Sequence, residues 1–209
     1  MVETALKICG LTLPEDVSLC NALGVDFTGF VFADGSPRRV TVAQAAAMPK
    51  GKARRVGVFT DASPENVAAV CREASLDFAQ LHGGQDETFC RILGPEKIIK
   101  VFWPEKQARA ELQKQLTIFA PLCAYFLFDA GVHGGGGGRP FTWDLLRHME
   151  IPRPWFLAGG IGPDNAREAI LFCRSFALDV NSGVEMASGV KDAAKIIQIM
   201  QRIASISND

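Results

Sequence analysis

The chain has 209 residues, with 22 Lys plus Arg against 23 Asp plus Glu and a formal charge of −1. That balance gives no electrostatic footing for DNA, RNA or an anionic membrane as partner. Hydrophobic residues at 48% and charged residues at 22% exclude disorder; the longest apolar stretch, around 120–128, is about half of what a spanning helix needs. Residues 1–13 show no basic segment followed by a long apolar run, so no signal peptide is expected and the cytoplasm is the default compartment. Against a soft prior of roughly 150 residues per domain, a single domain over 1–209 is expected. Area scaling lets it bury about 70% of its surface on folding.

Taken in chain order, short β-branched or aromatic runs predict strands at 5–9, 27–32, 55–59, 77–81, 98–102, 124–128, 155–158 and 176–180. Stretches of helical period separate them. Pro14-Glu-Asp, Pro64-Glu-Asn and Pro163-Asp-Asn put proline near a first turn with acids behind it, the pattern of a helix start. Thr41, Asp86, Thr142 and Ser188 are candidate N-caps. The strand ends recur every 21 to 30 residues. Eight evenly spaced βα units point to a compact (β/α)8 TIM barrel, one α/β domain. A doubly wound open sheet shares the alternation but more often has five or six strands and one phosphate loop. The run of glycines at 134–138 falls between strand six and helix six, with no second domain to link. It reads as a mobile active-site loop.

A barrel puts its active site where the strands end, with alternate strand residues pointing inward. The strand ends carry Cys9, Ser36-Pro37-Arg38, Asp61, His82, Trp103 and Asp129, then Gly159-Gly160 and Asn181-Ser182-Gly183. Placing the polar parity inward gives an interior with Lys7, Gln80, Lys100 and Asp179, and Phe176, Leu178 and Val180 on the other face. Strands one and eight are neighbours on closure, so a Lys7–Asp179 ion pair is expected; Asp179 is also a candidate for contact with substrate. The small-residue loops at Gly159, Gly160, Ser182 and Gly183 match the phosphate cradle of this fold, where backbone N–H groups hold the anion. The cysteines at 20, 71, 90, 123 and 173 read as small core residues in a reducing compartment, with Cys9 the exception by position. His82, His133 and His148 form no HxH or HxxxH pair and no acid cluster accompanies them, so no metal is expected. No G-x-S-x-G elbow marks a serine hydrolase.

With these segments in view, the sequence resembles the phosphoribosylanthranilate isomerase family of tryptophan biosynthesis. The matching segments are LKICGLT at 6–12, GFVFADGSPRRVT at 29–41, VGVF at 56–59, AQLHG at 79–83, FLFDA at 126–130, GGGGRPFTW at 135–143, LAGGIGPDN at 157–165 and LDVNSGVE at 178–185. They span nearly all eight units in order. The resemblance implies an Amadori rearrangement of an aminoaldose, N-(5′-phosphoribosyl)anthranilate, to the aminoketose 1-(o-carboxyphenylamino)-1-deoxyribulose 5-phosphate. By motif position it makes Cys9 the general base and Asp129 the general acid. It gives Arg38 the anthranilate carboxylate, and the phosphate falls to Gly138, Gly159, Gly160, Ser182 and Gly183.

The chemistry asks for one acid and one base about the sugar and no metal or organic cofactor. Asp129 must start protonated, so a pKa raised by partial burial is expected. A free cysteine is only about 3% thiolate at pH 7, and a nearby cation such as Lys7 would increase that share. The chain departs from the family pattern at Ala130 and Gly137, where a hydroxyl is usual, and carries Phe141-Thr142-Trp143 in place of FDW. A glycine-only lid is expected to lose more entropy on ordering. Three alternatives make different demands. A ribulose-phosphate epimerase would want metal ligands at strand ends, indole-3-glycerol-phosphate synthase a Lys- and Glu-rich opening, and a ligand sensor no acid/base pair. The partner expected is a small phosphosugar-anthranilate substrate, met by a monomer.

Overall fold

The computed structural model describes residues 4–129 and 141–207. Eight parallel strands close into a barrel in chain order: β1 (Ala5–Ile8), β2 (Phe27–Val31), β3 (Arg54–Phe59), β4 (Phe78–Leu81), β5 (Ile98–Phe102), β6 (Tyr125–Asp129), β7 (Trp155–Ala158) and β8 (Ala177–Val180). The barrel closes β1 on β8 with Lys7 opposite Asp179. Helices α1 (Pro14–Leu23), α2 (Val42–Ala47), α3 (Pro64–Glu73), α4 (Glu87–Leu93), α5 (Arg109–Phe119), α6 (Phe141–Arg147), α7 (Ala166–Cys173) and α8 (Ala193–Ser207) alternate with the strands. Each predicted strand is present to within one residue at either end.

Local chemistry accounts for most helix starts. Pro14 and Pro64 open α1 and α3, where a missing N–H goes unnoticed. Thr41 and Gln44 form a reciprocal capping box on α2, and Asp86 accepts from the Phe89 N–H to cap α4. Three expectations are corrected. Ser188 caps nothing: it lies in the turn of a small antiparallel hairpin, β9 (Glu185–Ala187) and β10 (Val190–Lys191). The cap of α8 is Asp192, whose Oδ1 accepts from the N–H groups of Ala194 (2.9 Å) and Lys195 (3.2 Å). Thr142 lies within α6 and not ahead of it. At Pro163-Asp-Asn the chain forms a turn, and α7 opens only at Ala166.

Two apolar layers hold the barrel. Outside the strands, Leu6, Ile8, Phe30, Phe59, Leu81, Phe126, Phe128 and Leu178 pack under the helices. Inside, the bottom is plugged by rings: Phe27 and Phe156 meet edge to face at 5.1 Å, and Tyr125 lies 5.4 Å from both Phe78 and Phe156. Phe176 joins this plug, 5.4 Å from Tyr125, contrary to its expected outward parity; β8 begins at Ala177, so the strand's alternation does not govern it. Lys100 is also corrected. It shares the outward face of β5 with Ile98 and Phe102, and its Nζ donates to the carbonyl of Gln85 at 2.9 Å, 5.2 Å from the Phe119 ring. Lys7, Gln80 and Asp179 do face the interior, above the plug.

Candidate active site

The upper interior begins with β1. Lys7 is fully buried and its Nζ donates to Asp179 Oδ1 at 2.8 Å, the ion pair expected from barrel closure. Burial pulls the Lys7 pKa down, but the charges of Asp179 and Cys9 outweigh it and the net shift is upward, so Lys7 stays an ammonium. One alternation further up, Cys9 sits against Val31 and Val58, nearly buried. Burial pushes its thiol pKa up, Lys7 and Lys191 oppose this, and the net direction is up. The expected gain in thiolate from Lys7 is therefore overridden: the protein strips water from the sulfur, and Asp179 neutralises part of the Lys7 charge. The other five cysteines are unpaired thiols, buried except for half-buried Cys71. Burial holds Cys20, Cys123 and Cys173 at about 12 and Cys71 and Cys90 at about 11.

Across the mouth, Asp129 ends β6 and is paired with His82 beyond β4, Oδ2 to Nε2 at 3.4 Å. Gln80 Nε2 lies 3.2 Å from His82 Nδ1, and the Trp103 ring stands edge-on to the imidazole at 5.3 Å. Gln80 Oε1 is buried with no partner among the described residues, an acceptor facing unmet demand beside the cavity it lines. Sequence reasoning placed Gln80 and His82 here but assigned them no role; their link to Asp129 crosses strands and has no local signature.

A cavity of about 300 Å³ unites the candidates: Cys9, Arg38, Asp129, Gly159, Gly160, Asp179, Ser182 and Gly183 all line it. Gly138, Ala130 and Gly137 lie outside the described residues, as does the lid expected at 134–138. The two small-residue loops abut so closely that a Cβ on Gly183 would stand 2.0 Å from the Ile161 carbonyl oxygen. Asn165, read from sequence as part of a helix start, instead pins the loop after β7. Its Oδ1 accepts from the Gly162 N–H at 2.9 Å and its Nδ2 donates to the Gly160 carbonyl at 3.0 Å. After β8, Ser182–Val184 forms a single 3-10 turn.

Arg38 reaches the same mouth from the β2–α2 loop and is gripped by Glu185, a residue with no role assigned from its motif. Among known proteins, the model of the N-(5′-phosphoribosyl)anthranilate isomerase family matches residues 6–202. The chain belongs to the phosphoribosylanthranilate isomerase family. A curated family member from Maridesulfovibrio salexigens is 44% identical over 192 residues, covering 91% of this chain and 94% of that one. A solved phosphoribosylanthranilate isomerase in complex with reduced 1-(o-carboxyphenylamino)-1-deoxyribulose 5-phosphate superposes with a TM-score of 0.82 at 29% identity, covering 97% of this chain and 99% of that one. A structure of generated monomers of the dimeric isomerase from Thermotoga maritima gives 0.83 at 29% identity, with 97% and 99% covered. The family thus includes a dimeric member. Among the described residues, no helix is long and apolar enough to cross a membrane.

Proposed function

We infer that Cys9 and Asp129 are the base and acid with which this chain performs the family's isomerisation. The reaction is the Amadori rearrangement of N-(5′-phosphoribosyl)anthranilate in tryptophan biosynthesis. The observation that carries the reading is the shared cavity: a thiol just past the end of β1 and a carboxyl group on β6 line the same space, with Arg38 and the two small-residue loops around it.

In this reading the protonated carboxyl of Asp129 delivers its proton to the ribose ring oxygen, and the ring opens to the Schiff base. Cys9, through the thiolate fraction that Lys7 and Lys191 support against burial, then removes the C2′ proton, leaving an enolamine that tautomerises to the ketone. One proton enters and one leaves the sugar, so no metal or organic cofactor is required. Asp179 turns toward Lys7, which fixes it beside Cys9 and within reach of the sugar. Val31 and Val58 offer an apolar wall to the aromatic ring, Arg38 a charge to its carboxylate. The loops at Gly159, Gly160, Ser182 and Gly183 take the phosphate through backbone N–H groups; Gly138, expected in the same role, lies outside the described residues.

Substrate generated in the cuvette should lose its anthranilate fluorescence on addition of the protein, with EDTA present and no metal added. Binding without that loss would replace this reading with a ligand sensor. We further expect a cytoplasmic monomer built of one domain. The exposed large hydrophobics of the described residues, Ile92, Leu171, Met186 and Ile197, sit on four separate elements. A sedimentation mass of one chain is the expected result.

A further inference from the structure

Glu185 opens the hairpin that follows β8, and its carboxylate holds Arg38 side-on. Arg38 Nε donates to Oε1 at 2.8 Å and Nη2 to Oε2 at 2.6 Å. That bidentate grip uses two of the five guanidinium N–H groups and leaves the Nη1–Nη2 edge for a second planar acceptor. Exposure runs the same way: the Arg38 side chain is 21% exposed, that of Glu185 only 5%.

Glu185 is itself fixed from behind. The fully buried Lys191 ammonium donates to Oε1 at 2.8 Å and to Asn181 Oδ1 at 3.0 Å. The Gly189 N–H reaches the same Oε1 at 3.2 Å, and Lys195 Nζ donates to the Glu185 carbonyl. If Glu185 swung away, the buried Lys191 charge would lose its ionic partner, a costly outcome. Gly10 supplies the room at the end of β1. A Cβ there would stand 2.7 Å from Arg38 Cδ and 2.6 Å from Asn181 Oδ1, and its φ is +70°. Arg38 and Lys191 share the single carboxylate of Glu185, so Arg38 keeps charge and donors for one more carboxylate.

We propose that Glu185, seated by Lys191, is a positioning residue that aims the free edge of Arg38 into the cavity, so that the ligand's carboxylate binds beside Glu185 and does not displace it. The inference deepens the proposed function and rests on it for the identity of that carboxylate. The opposite arrangement, with Glu185 as a stand-in that ligand must expel, makes the opposite prediction for its removal.

The test compares two probes by calorimetry: the reduced aminoketose phosphate with its ortho carboxylate, and the anilino analogue without it. Wild type is expected to favour the carboxylated probe. Glu185→Gln should weaken that probe by about tenfold, leave the anilino probe within about twofold, and raise KM with little change in kcat. Arg38→Met should abolish the preference, and adding Glu185→Gln to it should take nothing further. Glu185→Asp, which keeps the charge and shortens its reach, should lose part of the preference and serves if the Gln variant fails to fold. Unchanged or tighter binding of the carboxylated probe by Glu185→Gln, or by Glu185→Asp in its place, would overturn the proposal while wild-type turnover stood. Wild type that turned nothing over and bound neither probe would instead remove the functional reading, and this inference with it.

Discussion

At the bottom of the barrel Phe27, Phe78, Tyr125, Phe156 and Phe176 meet edge to face or stacked, with the Arg54 guanidinium 4.4 Å over Phe27. At the mouth the same sheet turns inward Cys9, Gln80, Asp129 and Asp179, joined by His82 and Arg38 from the loops. The lower layer gains stability from burying large apolar area, and its polar tips, the Arg54 guanidinium and the Tyr125 hydroxyl, meet each other at 3.3 Å. The upper layer pairs or hydrogen-bonds its buried charges, as Lys7 does with Asp179 and Lys191 with Glu185. A buried pair contributes little net stability but fixes positions, and removing one partner is severe. The fold thus separates holding the barrel together from doing chemistry, along a single strand length.

Substitutions that cross this boundary test it. The largest effect belongs to Cys9→Ala and Asp129→Asn, each expected to lower kcat by about 10²- to 10⁴-fold while the melting temperature stays within a few degrees of wild type. At the bottom, Phe156→Ala should show the reverse. Loss of a buried ring costs about 3–5 kcal/mol, roughly 10 °C or more in Tm for a chain of this size, with kcat of the folded protein unchanged. Lys7→Met breaks the division, because Lys7 serves both layers. Leaving Asp179 buried and unpaired costs about 3–5 kcal/mol. Because Lys7 opposes the upward shift of the Cys9 thiol, the ionisation that Cys9 contributes to the kcat/KM profile should also move to higher pH.

Acid titration gives a smaller and reversible effect. Burial alone would raise the Glu185 pKa, but Arg38 and Lys191 outweigh it and take it from an ordinary 4.5 to about 2. A carboxylate held below its unfolded value stabilises the fold above that value and loses the contribution as pH falls. Chemical denaturation should therefore show stability decreasing between pH 4.5 and about 2, with Glu185→Gln flattening that stretch. The smallest effect is expected for Asn165→Ala, which frees the loop after β7. Inhibition by inorganic phosphate should weaken a few-fold with kcat little changed.

The fold was legible because the strands carry their own period and several helices their own start: Pro14, Thr41, Pro64 and Asp86 mark theirs within one turn. Cys9, Arg38, Asp129 and the loop residues were legible as candidates because a barrel gathers its strand ends. Lys100 was misplaced for a physical reason. Both faces of a barrel strand are buried, one by the interior and one by helices, so a polar residue does not reveal which face it takes. Ser188 was misread because a two-residue turn and a helix cap favour the same small polar residues, while the true cap, Asp192, stands four positions on. Glu185 ends the LDVNSGVE segment, but its partner Arg38 is 147 residues away and nothing local announces the pairing. The same holds for His82 and Asp129.

In the proposed roles Cys9 and Asp129 move protons and do not hold the site together. The decisive measurement is calorimetric titration of Cys9→Ala and Asp129→Asn with the reduced aminoketose phosphate. Affinities within about threefold of wild type are expected in variants that have lost turnover. Binding lost in step with turnover would contradict those roles.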